Sequence, residues 1–222
     1  MKRIVLISTL ICALLLSSCA KVADPFEQSI SYKQIAMLVG SSENYTVSVV
    51  ASMVESPYMA DGIAEPTHEE CKIIISSPSD LSLVNNLHYC FEYQGEMIEG
   101  IFSLDKLRGV LYANTGVVAH SEHMSSITIS DESTSSEISL RNVMSDAISV
   151  DEVISIAKSE FAQDISDNTV DGVYQKETYV KYISDKHQDE TVYYWYVAVI
   201  SKDHTFQAIL LSPSGEVIAK RK

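Results

Sequence analysis

Three short constellations in this sequence carry residue types able to do chemistry. His120-Ser121-Glu122-His123 sets two imidazoles and a carboxylate close together. These are donor types that zinc accepts, yet the stretch supplies no further ligand nearby to complete a site. His68-Glu69-Glu70-Cys71 offers a comparable set, but a cysteine committed to a disulfide is lost as ligand or nucleophile. Ser155-Ile156-Ala157-Lys158 has the spacing at which a lysine can deprotonate a serine hydroxyl for acyl transfer, without the companion Ser-Asp-Asn and Lys-Thr-Gly segments. No Gly-x-Ser-x-Gly elbow, phosphate-binding glycine loop, His-Glu-x-x-His or dinucleotide-binding glycine pattern occurs. The expectation is a chain with no catalytic residue, no resident metal and no cofactor. The patch with binding character is aromatic: Tyr193, Tyr194, Trp195 and Tyr196. In a strand Tyr194 and Tyr196 take one side, Tyr193 and Trp195 the other. One pair packs into a core; the other is either covered or exposed as an anchor for a partner.

The elements that must position such residues begin after a removable leader. Lys2 and Arg3 precede an apolar run from Ile4 to Leu16, followed by Leu16-Ser17-Ser18-Cys19. This is the charge, apolar run and small-residue cleavage site of an export signal. The run is shorter than the roughly 20 residues of a membrane-spanning helix. Residues 1–18 are therefore set aside from the fold. The chain of 222 residues carries 16 basic and 30 acidic side chains, a formal charge of −14. Losing residues 1–18 removes two of the basic groups and none of the acidic ones. Such a surface repels nucleic acid and anionic headgroups, which excludes a nucleic-acid partner and docking through a basic patch.

Cys19, directly after Leu-Ser-Ser, resembles the acylation site of bacterial lipoproteins, the lipobox. The resemblance implies that the Cys19 thiol is diacylglycerated and that the bond before it is cut. Several acyl chains, each CH₂ contributing about 0.8 kcal/mol when buried, then hold the protein on the membrane. The membrane is thereby a partner through the lipid on Cys19, and the location implied is the cell envelope, on the extracytoplasmic face.

Cys12 leaves with the signal, so Cys71 and Cys90 remain beside the acylated Cys19. In an oxidising compartment such a pair reads as a disulfide. Residues 71–77 and 87–93 are strand-like, with Pro78-Ser79-Asp80 supplying turn chemistry between them. A hairpin centred between Asp80 and Leu81 sets Cys71 opposite Cys90, at a spacing a disulfide accepts. The alternative is two buried free thiols.

Residues 19–27 read as a tether, 28–135 as an N-terminal α+β unit and 136–222 as a C-terminal unit. Ile30, Ile35, Ala36 and Val39 suggest a short helix ending near Gly40. Strands are expected at 45–52, 71–77, 87–93, 97–103, 108–113 and 117–119, with turns at Gln94-Gly95 and Asn114-Thr115-Gly116 and a loop over 57–70. In the second unit, Ser149-Val150-Asp151-Glu152 is a capping box. Val150, Val153, Ile154, Ala157 and Phe161 then recur at helical spacing. Strands over 172–183, 191–201, 204–212 and 216–220 follow.

ISVDEVISIAKSEF (148–161) resembles the opening helix of PepSY domains, YYWYVAVI (193–200) their central strand, and FQAILLSPSGEVIAKRK (206–222) their closing hairpin. Together these cover about a third of the chain. The resemblance implies a helix packed on an antiparallel sheet. It also implies a non-catalytic module that binds or restrains another exported protein or peptide, since that family accompanies secreted peptidases and envelope regulators. The fold class expected is α+β, in two small, mostly antiparallel units. The competing functional class is an envelope hydrolase whose active site is assembled from distant residues.

Overall fold

The structure, a computed structural model, describes residues 24–57, 59–76, 86–115, 124–187 and 190–221. The expected export signal, Cys19, the expected 117–119 strand and the His120–His123 stretch lie outside the described residues.

The chain enters through α1 (Pro25–Gln28), a single turn capped by the Asp24 carboxylate, which accepts from the N–H groups of Phe26 and Glu27. β1 (Ile30–Ser41) follows where the helix was expected. Ala36, Met37 and Leu38 are consecutive and all buried. A strand covered on both faces accommodates that, and one helical face does not. Gly40 is no helix cap: a Cβ there would lie 2.3 Å from the Ser139 carbonyl oxygen. Its role is to let another backbone come close.

β2 (Thr46–Glu55) and β3 (Thr67–Ser76) extend the sheet from β1, joined by a loop over 56–66. β4 (His88–Tyr93) and β5 (Glu96–Ile101) form a hairpin, with Gln94 and Gly95 both at positive φ (52° and 85°), as its two-residue turn requires. β6 (Ser103–Asp105), β7 (Val110–Thr115), β8 (Ser126–Ser130), β9 (Ser135–Ser139) and the short β10 (Arg141–Asn142) complete this segment. The expected turn at 114–116 does not form at Asn114 and Thr115, which end β7. Then come α2 (Val150–Glu160), α3 (Ala162–Asp167) and a small hairpin, β11 (Thr169–Val170) with β12 (Val173–Tyr174). β13 (Glu177–His187), β14 (Glu190–Ile200), β15 (Phe206–Leu211) and β16 (Val217–Arg221) close the chain.

One ten-stranded sheet runs in the order β16-β15-β14-β13-β1-β2-β3-β7-β6, with β10 on β1; a four-stranded sheet runs β5-β4-β8-β9. Of the described residues 57% are in strands and 12% in helices, so the fold is mostly β and the α+β expectation is corrected. The reason lies at β1. It pairs in parallel with β13 through Ile30, Tyr32 and Lys33, and antiparallel with β2 on its other edge. The C-terminal strands therefore belong to a large mixed sheet, and the expected self-contained helix on an antiparallel sheet is not what the chain builds.

Two cores result. Leu38, Val47, Val49, Ile73 and Ile75 of the large sheet meet Tyr89, Phe91, Ile127, Ile129 and Ile138 of the small one. Val153, Ile154, Ala157 and Phe161, on one stripe of α2 and its C-cap, meet Val180, Trp195, Val197, Ile209 and Leu211. Adjacent residues of β1 serve different cores, Met37 the second and Leu38 the first.

The cysteine expectation is corrected by the same topology. β3 pairs with β2 and β7, whereas β4 pairs with β5 and β8 in the other sheet. Cys71 is buried in the first core, while Cys90 alternates with the inward Tyr89 and Phe91 and so faces away from it. Cys71 and Cys90 are free thiols.

Candidate functional site

β1, β2, β3 and β13 place a polar cleft of about 380 Å³ on one face of the large sheet. Opposed residues on paired strands share a face. The register sets Tyr32 beside Val54 and His68, Gln34 beside Ser52 and Glu70, and Val50 beside Lys72. β13 brings Tyr179 beside Tyr32, and Lys181, two residues further, projects from the same side. Arg108 reaches the cleft from the β6–β7 turn, where Asp105 Oδ1 accepts from the N–H groups of Leu107 and Arg108 at 3.0 and 3.2 Å.

Lys72, Arg108 and Lys181 line the cleft together with the carboxylates of Glu55 and Glu70. Lys181 Nζ sits 4.7 Å from the centroid of the Tyr32 ring and 5.4 Å from that of Tyr179, within cation–π range. Burial pushes the Lys181 pKa down, and the Arg108 charge adds to the shift. Burial pushes the Tyr32 hydroxyl up, opposed by a hydrogen bond from Ser52 and assisted by the Glu70 charge. Lys72 pairs with Glu70 at 2.7 Å.

Gln34 lies in the cleft wall at a break in the ladder. β13 pairs with β1 as far as Lys33, and β10 takes over at Leu38. A β-bulge separates Gln34 from Ala36. In that gap the Gln34 Oε1 accepts the Tyr182 N–H at 3.2 Å, standing in for a backbone carbonyl. This bond fixes which end of the amide is oxygen. Gln34 is 4% exposed, and its Nε2 is left with no acceptor among the described residues.

At the cleft's edge two glutamates are almost wholly buried. Glu55 accepts the N–H groups of Met59 and Glu65, each at 3.0 Å. Glu177 accepts from Ser31 and Tyr179 hydroxyls and from the Gly62 N–H at 3.0 Å. Together they hold the 56–66 loop by its backbone. Burial raises the Glu55 pKa, the Glu65 and Met59 amides lower it, and the charge and hydrogen bond of Glu177 raise it again.

Of the four aromatics read from the sequence, Trp195 is fully buried in the second core and Tyr193 stacks on Tyr182 with ring centroids 5.6 Å apart. Tyr196 lies opposite Lys181 and Tyr194 opposite Ile183. These two tyrosines are half-buried and share the face that carries Lys181. The sheet face thus continues from the cleft onto an aromatic strip.

The remaining constellations come apart. His68 and Glu70 line the cleft, while Cys71 points into the core. Lys158 is ion-paired with Asp24 and lies 3.4 Å from Glu27. Hydrogen bonding to Asp24 raises its pKa, so it is held as a cation and cannot serve as a base for the exposed Ser155. Among the described residues no helix is long and apolar enough to cross a membrane.

Gln34, Lys181, Glu55 and Glu177 carry the site, and none stands out by motif. The available signal was a single cation inside an apolar strand run, Tyr179-Val180-Lys181-Tyr182-Ile183. The chain matches no protein-family profile, and neither a curated protein nor a solved structure matches it at a significant level.

Proposed function

We propose that this chain is a lipid-anchored cell-envelope protein that binds another exported protein or peptide without catalysis, through the cleft and the adjoining strip of Tyr194 and Tyr196. The lipobox at Leu16-Ser17-Ser18-Cys19 supports the anchor, and the similarity of 148–161, 193–200 and 206–222 to PepSY segments supports an exported partner. The observation that carries the binding surface is the register Lys181↔Tyr196 and Ile183↔Tyr194. It makes half-buried aromatics continuous with a polar recess, the mix of apolar anchor and directional polar groups that recognition sites use.

Two measurements test this. Cys19→Ala should leave an unprocessed or mislocalised precursor; normal partitioning of that variant into the detergent phase would remove the anchor. A photo-crosslinking residue placed at Tyr196 in the full chain should trap an envelope protein that the same residue at Glu99, on β5 of the other sheet, does not. Equal adducts at both positions, or reproducible peptidase or esterase turnover abolished by one point mutation, would overturn the binding reading.

A further inference from the structure

We propose that residues 59–65 form a strap held shut by one proton shared between Glu55 and Glu177, and that the strap opens as rising pH removes that proton. The inference stands apart from the binding-module reading.

Glu55, the last residue of β2, and Glu177, the first of β13, are 2% and 0% exposed. Among the described residues their partners are N–H groups, O–H groups and each other, and no cation. Three of the donors come from one short segment. The Met59 and Glu65 N–H groups reach Glu55 and the Gly62 N–H reaches Glu177, each at 3.0 Å. The two side chains also hydrogen-bond to one another, and two carboxyl groups do so only when one of them carries a proton. Once that proton leaves, two like charges face each other out of water. Lifting the strap lets water reach them and relieves the repulsion.

On its other side the strap rests on the turn between β14 and β15. The Ala60 carbonyl oxygen accepts from His204 Nδ1 at 3.1 Å, and Gly62 lies against the Lys202 backbone. Gly62, Ile63 and Ala64 wall a recess of about 250 Å³ with Ser29, Tyr174 and Lys202, while Glu55 lines the larger cleft. An open strap therefore widens both.

The titratable groups on the strands around the pair are Tyr32 of β1, His68 of β3, and Tyr179 and Lys181 of β13. The strap and the turn add Asp61, Glu65, Lys202, Asp203 and His204. Among the described residues, the charge that acts on Glu55 is that of Glu177. His204 touches the strap and is of the type that titrates between pH 5 and 8, so the test must separate it from the glutamates.

Hydrogen exchange followed by NMR on the full chain in detergent micelles, corrected for the intrinsic pH dependence of exchange, reads the opening. Opening releases one proton. Protection of the Met59, Gly62 and Glu65 amides should therefore fall together, by up to tenfold per pH unit above about pH 4.3, and level off once the closed pair has also ionised. The Tyr182 amide, held by Gln34 in the same sheet, should not follow. Glu55→Gln and Glu177→Gln should each flatten the slope, whatever they do to its level, because one carboxyl group remains. His204→Asn, which suits the positive φ of 62° at that position, should raise opening at every pH and keep the slope. A flat profile in the parent, or three amides that open independently, overturns the strap. So does a Tyr182 amide that falls in step with them, which would report unfolding of the sheet, or a slope that vanishes in His204→Asn, which would hand the response to the histidine.

Discussion

Gly62 joins three features at one residue. Its N–H donates to Glu177, its φ is +81°, and a Cβ would lie 2.4 Å from the Lys202 backbone nitrogen. Gly62→Ala therefore combines left-handed strain with a backbone clash and should cost about 1–3 kcal/mol, measured as a fall in urea midpoint. A variant as stable as the parent would mean the 56–66 loop is not held as described. Glu177→Ala should be more damaging, because it leaves the Ser31 and Tyr179 hydroxyls and the Gly62 N–H without their acceptor at about 1–3 kcal/mol per buried group. Glu55 carries a pH signature. Its folded pKa is raised above the unfolded value of about 4.3, so the native state holds the proton more tightly. The stability this confers is complete below pH 4 and is lost as pH rises through the folded pKa. Relative to Glu55→Gln, the parent should lose stability between pH 4 and the upper end of that window. A difference between the two that is flat with pH would place the raised pKa elsewhere.

The capped helix was legible because its signals are local. The Ser149 hydroxyl accepts the Glu152 N–H at 3.3 Å and Glu152 reaches back to the Ser149 N–H at 2.9 Å, as the four-residue pattern predicts. Ser149→Ala should lower stability by about 1 kcal/mol, with loss of helical signal confined to 150–160 by hydrogen exchange. β14, β15 and the Gln94-Gly95 turn were legible for the same reason. β1 was not: Ala36-Met37-Leu38-Val39 is an apolar run without a period, and what makes it a strand is the pairing of β1 with β2 on one edge and with β13 and then β10 on the other. The cysteine register failed similarly, since strand character at 71–77 and 87–93 says nothing about which strand each finds. Asp164 was silent too. It pairs with Lys176 at 2.6 Å, accepts from the Tyr174 hydroxyl, and takes the Gln207 amide at 3.2 Å, tying α3 to β12 and β15. Both members of that ion pair are 13% exposed. Asp164→Ala strands a nearly buried ammonium and should cost about 3–5 kcal/mol by denaturant unfolding.

At the scale of the molecule, two unlinked thiols in separate sheets mean that the fold stands on its cores. Thermal unfolding should be unchanged by dithiothreitol, and a drop of several degrees would restore the bridge that the strand order denies. The β1–β13 pairing has a kinetic consequence as well. The Ser29 and Thr178 hydroxyls bond across 149 residues of chain, and Ser31 reaches Glu177 across 146. Contacts this distant in sequence close late and raise the contact order, which slows folding. A chain emerging amino end first presents β1 long before β13 exists, with its ladder groups open along one edge for most of the time of synthesis. Such an edge invites pairing with other chains. A fragment ending at residue 135 should therefore aggregate, and supplying residues 136–222 in trans should suppress that aggregation by delivering the strand for which β1 waits.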